Sequence, residues 1–293
     1  MEFIAYLISG IRLGSIYAII ALGYTMVYGI AKMLNFAHGD VIMIGAYVAF
    51  FALFRFNLPL PIAIIAAMAL CTVLGMSIEK LAYKPLRSAT SLAVLITAIG
   101  VSYFLQNAAL LLWGSTSKIF PTILDYGFIE LFNGQLKISY QILITIFICL
   151  AIMLGLTLFV RYTKLGKAMR ACSEDKDAAR LMGINVDSVI SLTFAIGSGL
   201  AAVASVLLCA TYPTVTPTLG SMPGIKAFTA AVLGGIGSIP GAFLGGLMLG
   251  VIEFIAKVYI SSELTDAIVF SVLILVLLFK PTGLLGKKAS EKV

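Results

Sequence analysis

The chain carries one histidine, His38, inside the polar run Asn35-Phe36-Ala37-His38-Gly39-Asp40 that opens an apolar stretch. An imidazole and a carboxylate are groups that handle protons, and at membrane depth they face protein or water rather than lipid. Two arrangements fit the run. Asn35 or Asp40 caps a helix that begins there, with His38 at the headgroup level. Alternatively the chain breaks at Asn35–Gly39 and the break forms part of a gate, because non-helical backbone in a membrane is tolerated only beside a cavity or buried in protein. A membrane-embedded enzyme needs more, namely a nucleophile–base pair or a metal cluster. No HExxH and no paired aspartates occur, and Cys71, Cys149, Cys172 and Cys209 form neither a CxxC nor a ligand cluster with His38. Neither catalytic residues nor a metal site are expected.

Other candidates lie in the second half. Glu253 and Lys257 stand four apart, the spacing of a helical ion pair. Pro213, Pro217 and Pro223, with Gly220 and Gly224, make the segment after Ala210 irregular, and it leads to Gly234, Gly235 and Gly237. Broken helices sit near substrate paths in many transporters. These three glycines therefore join Asn35, His38, Gly39 and Asp40 as candidates for a translocation pathway or gate. Gly241-xxx-Gly245 and Gly246-xxx-Gly250 are small-xxx-small patterns that let helix backbones approach closely. They suit helix packing within this chain, or else a face for another subunit or a pore.

The elements that must position these residues are strongly apolar. The hydrophobic fraction is 61% and the charged fraction 11%, with a mean hydropathy of +1.08, whereas a soluble domain carries roughly a quarter charged residues. The length accommodates about eight to ten membrane spans of roughly 20 residues. The expected fold is all-α, a polytopic transmembrane helix bundle forming one domain over residues 1–293, with some segments broken or re-entrant. Apolar stretches run at 5–31, 36–56, 59–79, 89–113, 138–160, 187–210, 220–239, 240–260 and 264–282. The first has no basic n-region and no clear cleavage site, so it reads as a retained span.

A net charge of +7 does not indicate nucleic acid here, because the basic residues cluster between apolar stretches. With nine crossings and a cytoplasmic C-terminus, the N-terminus is extracytoplasmic. The cytoplasmic loops then hold Lys32; Lys80, Lys84 and Arg87; Arg161, Lys164, Lys167, Arg170, Lys176 and Arg180; and Lys280, Lys287, Lys288 and Lys292, fourteen of the twenty basic residues. The extracytoplasmic loop 114–137, weakly hydrophobic and rich in turn residues, is expected to hold a short helix.

The longest charged stretch, about 161–187, includes Ser173-Glu174-Asp175-Lys176-Asp177-Ala178-Ala179-Arg180-Leu181-Met182-Gly183. Ser173 is a fitting N-cap, Glu174 and Asp175 suit a first turn, and Gly183 is a natural stop. One short amphipathic helix here suits a groove on a cytoplasmic partner; a solvated loop obeying the positive-inside rule also fits.

The Glu174…Ala178-Ala179…Gly183 arrangement resembles the cytoplasmic coupling loop of ABC importer permeases. Leu13-Gly14-Ser15-Ile16-Tyr17-Ala18 with Ala21-Leu22-Gly23-Tyr24-Thr25-Met26-Val27-Tyr28-Gly29 resembles the branched-chain amino-acid ABC transporter permease family, in its LivH-type subunit. So do Asn35–Asp40 and Ala227-Phe228-Thr229-Ala230-Ala231-Val232-Leu233-Gly234-Gly235-Ile236-Gly237-Ser238 followed by Pro240-Gly241-Ala242. The resemblance spans about residues 5–285. It implies a bacterial inner-membrane machine in which this chain pairs with a homologous second permease, two cytoplasmic ATPases and an extracytoplasmic amino-acid-binding protein. It also implies that Arg170, Glu174, Asp177, Ala178, Ala179 and Gly183 belong to the ATPase-coupling loop. The sequence agrees on one point. No GxxxxGK[ST] phosphate loop occurs, since Gly166-Lys167 is followed by Ala and Gly286-Lys287 by Lys. No cofactor is expected in this chain, and ATP falls to the partners. Alternatives are an ion-coupled secondary transporter, which would draw on Glu253 and Asp40, and an ABC permease for urea or short amides.

Overall fold

The computed structural model describes residues 2–87, 89–124, 126–131 and 136–286; Lys287, Lys288 and Lys292, counted above as cytoplasmic charges, lie outside the described residues. Each of the nine apolar stretches carries a helix. In chain order the helices are α1 (Glu2–Ala31), α2 (His38–Phe54), α3 (Leu60–Ile78), α4 (Ser91–Trp113), α5 (Tyr140–Tyr162), α6 (Lys164–Glu174), α7 (Lys176–Leu181), α8 (Val186–Thr211), α9 (Ser221–Gly234), α10 (Ile239–Tyr259) and α11 (Thr265–Phe279). Among the described residues six are long and apolar enough to cross a membrane: α1, α3 with its continuation to Leu86, α4, α5, α8 and α10. Helix α2 has 17 residues and α9 has 14, about 25 Å and 21 Å of axis. Both fall short of the roughly 30 Å hydrocarbon thickness.

The chain divides into two compact units, residues 26–124 with 158–225, and residues 1–25, 125–157 and 226–293. The first unit is built on α2, α3 and α8. Helix α3 buries Ala63, Ala67, Cys71, Gly75 and Ile78, a stripe of mostly small residues near helical spacing. Its glycine at 75 accommodates Ser198 of α8, and a methyl at Gly45 of α2 would meet Ser205 Oγ at 2.8 Å. Lipid supplies no hydrophobic drive between helices, so association rests on such close approach. Helix α4 buries only Val94, Ala98, Leu105 and Ala109 and leaves Leu92, Ile96, Phe104 and Leu111 exposed.

The end of α3 is distorted. Pro85 lacks an N–H and clashes with the preceding turn; the chain passes through a π-helical turn at Glu79–Tyr83 and a 3-10 turn at Lys84–Leu86. The π turn buries Glu79 completely. Its carboxylate accepts from Ser191 Oγ at 2.5 Å and from Arg87. Arg87 also pairs with Asp187 at the start of α8, as does Lys84 at 3.0 Å. A buried carboxylate needs this number of donors.

In the second unit both glycine patterns of α10 are used inside this chain. Gly246 and Gly250 lie on Gly14 and Ala18 of α1, while Gly241 and Gly245 lie on Ala230 and Gly234 of α9. Gly235 (φ +105°) and Gly237 (φ +94°) make the turn between α9 and α10, conformations costly for any residue with a Cβ. Ser238 caps α10 by accepting from the Gly241 N–H at 3.2 Å. The N–H groups of Leu284 and Leu285 donate to the carbonyls of Leu233 and Gly234, each at 2.9 Å, and so satisfy the end of α9. Glu253 does not pair with Lys257 as its spacing suggested. Lys226 of α9 takes its Oε1 at 2.7 Å and also holds Asp266 Oδ1 at 2.7 Å. A cross-helix partner wins because Lys226 is itself buried and must be neutralised.

The loop 114–137 contains no helix among its described residues. It holds strands β1 (Lys118–Ile119) and β2 (Phe128–Leu131), followed by β3 (Leu136–Ser139). β2 and β3 form an antiparallel hairpin in which Glu130 faces Lys137 with an ion pair of 2.8 Å. β1 pairs with β4 (Thr214–Val215), and the Phe120 N–H donates to the Pro213 carbonyl at 3.0 Å. Phe120 is buried, so an extended chain pinned by that ring outcompetes a local helix.

Candidate functional site

Between α1 and α2 the chain runs through residues 32–37 without helical structure, and Met33, Asn35 and Ala37 are buried. This is the buried, non-helical backbone that a membrane protein tolerates only against other protein groups. Asn35 does not cap α2. Its Oδ1 accepts from Tyr83 Oη at 2.9 Å, which ties the break to the π turn of α3. Asp40 does not cap α2 either: the N-cap position is Ala37, with no side-chain cap. The Asp40 carboxylate instead accepts from Gln106 Nε2 at 2.9 Å. Each side chain is engaged by a distant partner, so the start of α2 is closed by backbone bonds, His38 N to Asn35 O and Asp40 N to Ala37 O. His38 and Asp40 are both essentially inaccessible.

The Gln106 amide also lies 3.1 Å from Ser102 Oγ and 3.3 Å from Ser221 Oγ. Ser221 is the first residue of α9, so Gln106 of α4 bridges the starts of two helices. The backbones touch there as well, since a methyl on Gly39 would sit 2.5 Å from the Gly220 carbonyl oxygen. Gly220 closes the irregular segment 212–220 that the prolines marked. That segment ends at α9, whose first turn absorbs Pro223, a position where a missing N–H costs nothing. Gln106 stands fifteen residues into α4, about 22 Å from its start, well inside the span. Seven residues beyond the Asp40–Gln106 pair, Tyr47 stacks on Trp113 with centroids 4.2 Å apart, so α2 and α4 run side by side. Two short helices thus begin at one partly buried polar cluster, with a carboxylate in the first turn of α2 where the helix dipole favours it.

Gly234, Gly235 and Gly237 lie in the other unit, and packing and turn geometry account for each of them. Among the described residues no group of three or more His, Cys, Asp or Glu could hold a metal ion.

The 161–187 stretch forms two helices rather than one. Helix α6 turns Gly166, Met169 and Cys172 inward and ends at Glu174. Ser173 is inside α6, and the cap of the following helix is Asp175, whose Oδ1 accepts from the N–H groups of Asp177 and Ala178 at 2.9 and 3.1 Å. The acidic pair that suited one helix start is split, because Asp175 adopts extended backbone. Helix α7 buries Ala179 and exposes Ala178 and Leu181, and Met182 just after it is exposed as well, the last two by 89% and 82%. Asp177 pairs with Arg180 at 3.2 Å, Arg170 Nη2 donates to the Arg161 carbonyl at 3.2 Å, and Gly183 (φ +81°) ends the turn. Asp175→Ala is expected to destabilise α7 by about 1 kcal/mol, seen as faster amide hydrogen exchange over 176–182.

Gln106, Ser102, Ser221 and Tyr83 carry no motif that marks them in the sequence, and Gly220 is marked only as part of the irregular segment after Ala210. Gln106 was the detectable one, since with its neighbour Asn107 it places two carboxamides in a mostly apolar span.

Residues 6–277 match the family described as branched-chain amino acid transport system / permease component. The high-affinity branched-chain amino acid transport system permease protein BraD of Pseudomonas aeruginosa is 48% identical over 302 residues, covering 100% of this chain and 98% of that protein. LivH of Escherichia coli K12, described in the same words, is 48% identical over 305 residues, again covering 100% and 98%. Among solved structures, PsaBC from Streptococcus pneumoniae in complex with Fab superposes with a TM-score of 0.52 at 16% identity, covering 96% of each chain. That last likeness is one of fold alone.

Proposed function

The chain belongs to the family of permease components of branched-chain amino acid transport systems, and from that premise we propose that it is the membrane-spanning subunit of an importer carrying branched-chain amino acids. The observation that carries the mechanistic reading is the convergence of α2 and α9 on the Asp40–Gln106–Ser221 cluster. Helices too short to span, meeting inside a bilayer, form a joint that needs little rearrangement to open and close, and such breaks adjoin substrate sites in transporters. The pathway is assigned to that joint, with Gly39 and Gly220 as its contact, Asn35 in the segment leading to it and His38 at the first position of α2.

Transport proceeds by alternating access powered by two partner ATPases. The exposed Ala178, Leu181 and Met182 are the apolar anchors that seat α7 in an ATPase groove. A second permease completes the pathway, and an extracytoplasmic binding protein delivers the substrate and sets most of the selectivity. The basic loops face the cytoplasm and the N-terminus lies outside, in the inner membrane of a bacterial cell. An ion-coupled mechanism has less support, because Glu253 is held by Lys226 and Asp40 by Gln106.

The test is purification of the tagged chain co-expressed with its genomic neighbours, followed by uptake in proteoliposomes. Recovery of a second permease and two ATPases, with ATP-dependent uptake of leucine, isoleucine or valine that urea does not compete, is the expected result. A homo-oligomer that transports without an ATPase overturns the proposal.

A further inference from the structure

The coupling helix and the buried break before α2 are joined by one side chain. Lys176, the first residue of α7, donates from Nζ to the carbonyl oxygen of Ala31 at 2.7 Å. Ala31 is the last residue of α1, and Lys32 beyond it turns into the left-handed region (φ +59°). The final carbonyls of a helix have no partner within it, and a cation placed there gains from both the hydrogen bond and the dipole. The site is not otherwise favourable to an ammonium. Burial, with Arg87 and Lys32 nearby, pushes the Lys176 pKa below its ordinary value. The Ala31 carbonyl is thus what holds the side chain in place.

We propose that Lys176 is a positioning residue that clamps α7 to the end of α1, so that movement of α7 is delivered to residues 32–37 and through them to the start of α2. The route is short and continuous within one unit. It runs from Lys176 to Ala31, along the non-helical segment whose Asn35 is held by Tyr83, to Asp40 and its contact with Gln106. The clamp is independent of the apolar docking face of α7, because Lys176 reaches inward while Leu181 and Met182 stay exposed. Losing it therefore separates ATP hydrolysis from transport without preventing subunit association. This inference rests on the importer reading above.

The experiment uses the full complex in liposomes and measures leucine taken up per ATP hydrolysed, for the native protein and for Lys176→Arg, Lys176→Gln and Lys176→Met. Arginine keeps the charge and the donors, glutamine keeps a donor only, and methionine keeps the apolar stem alone. The expected order is native, Arg, Gln, Met, with the methionine variant losing about tenfold in uptake per ATP, the scale of a coupling of about 1.4 kcal/mol, while its ATPase rate and subunit content are kept. Equal uptake per ATP in all forms overturns the clamp. If the methionine variant does not assemble, the glutamine variant decides, and a native ratio there overturns the clamp as well. A native complex that moves leucine without consuming ATP refutes the importer reading instead, since no ratio then exists to change.

Discussion

Gly220→Ala is expected to reduce uptake at least tenfold while the core of α2, α3 and α8 stays folded. The added methyl would land on the Gly39 carbonyl group, 2.5 Å from its carbon and closer still to its oxygen, and 3.3 Å from the Met43 nitrogen. These neighbours are backbone atoms, so no side-chain rotation relieves the clash and the starts of α2 and α9 must separate. Overpacking of this kind costs about 1–3 kcal/mol, and each 1.4 kcal/mol transferred to the transport barrier is a factor of ten. The separation also pulls Ser221 away from Gln106, which leaves the cluster to Asp40, Gln106 and Ser102. The measurement is ATP-dependent uptake in proteoliposomes, with thermal unfolding of the same preparation in detergent. A variant that unfolds several degrees lower but transports normally would show that the joint is structural and lies off the pathway.

The second large effect concerns α1 and α10. Gly250→Leu is expected to prevent recovery of a monodisperse folded chain. A methyl alone at this position meets the backbone of Gly14 and comes 2.8 Å from the Gly10 carbonyl oxygen. Leucine adds three more carbons where two helices touch backbone to backbone. Membrane helices associate through such close contacts and gain nothing from lipid exclusion to offset a wider spacing. Gly155→Ala in α5 is the control, because a methyl there meets nothing within 4 Å, and it is expected to hold or slightly raise the melting temperature. Size-exclusion profiles and thermal unfolding of the two variants decide the matter. A folded, monodisperse Gly250→Leu protein would mean that the α1–α10 contact does not support the second unit.

Some of this was legible in the sequence. The Asn35–Asp40 run drew attention because polar residues interrupt an apolar chain, and the prolines after Ala210 marked the second irregular segment. That the two breaks meet was not legible, because Gly39 and Gly220 are 181 positions apart and two glycines carry no mark of their partner. Glu253 illustrates the same limit. Its spacing to Lys257 suggested a helical pair, but burial decides which cation is used, and Lys226 on a neighbouring helix is the buried one. Within the 161–187 stretch the sequence marks one helix start, at Ser173–Asp175, and leaves α6 unforeseen; backbone conformation gives the cap of α7 to Asp175.

The sequence by itself determined the number and placement of the apolar helices, since a run of some twenty apolar residues has few places to go but across a bilayer. It also determined the family, through motifs spread over nearly the whole chain. Which faces lie inside was left to the tertiary structure. Helices α5 and α8 are both apolar enough to span, yet the most apolar part of α5 is 22% buried and that of α8 is 78%. Lipid tails and a protein interior make the same demand on a side chain, so hydropathy cannot distinguish a helix that faces one from a helix that faces the other. Only packing decides that, through small residues such as Gly45, Gly75 and Gly250 that bring particular backbones together.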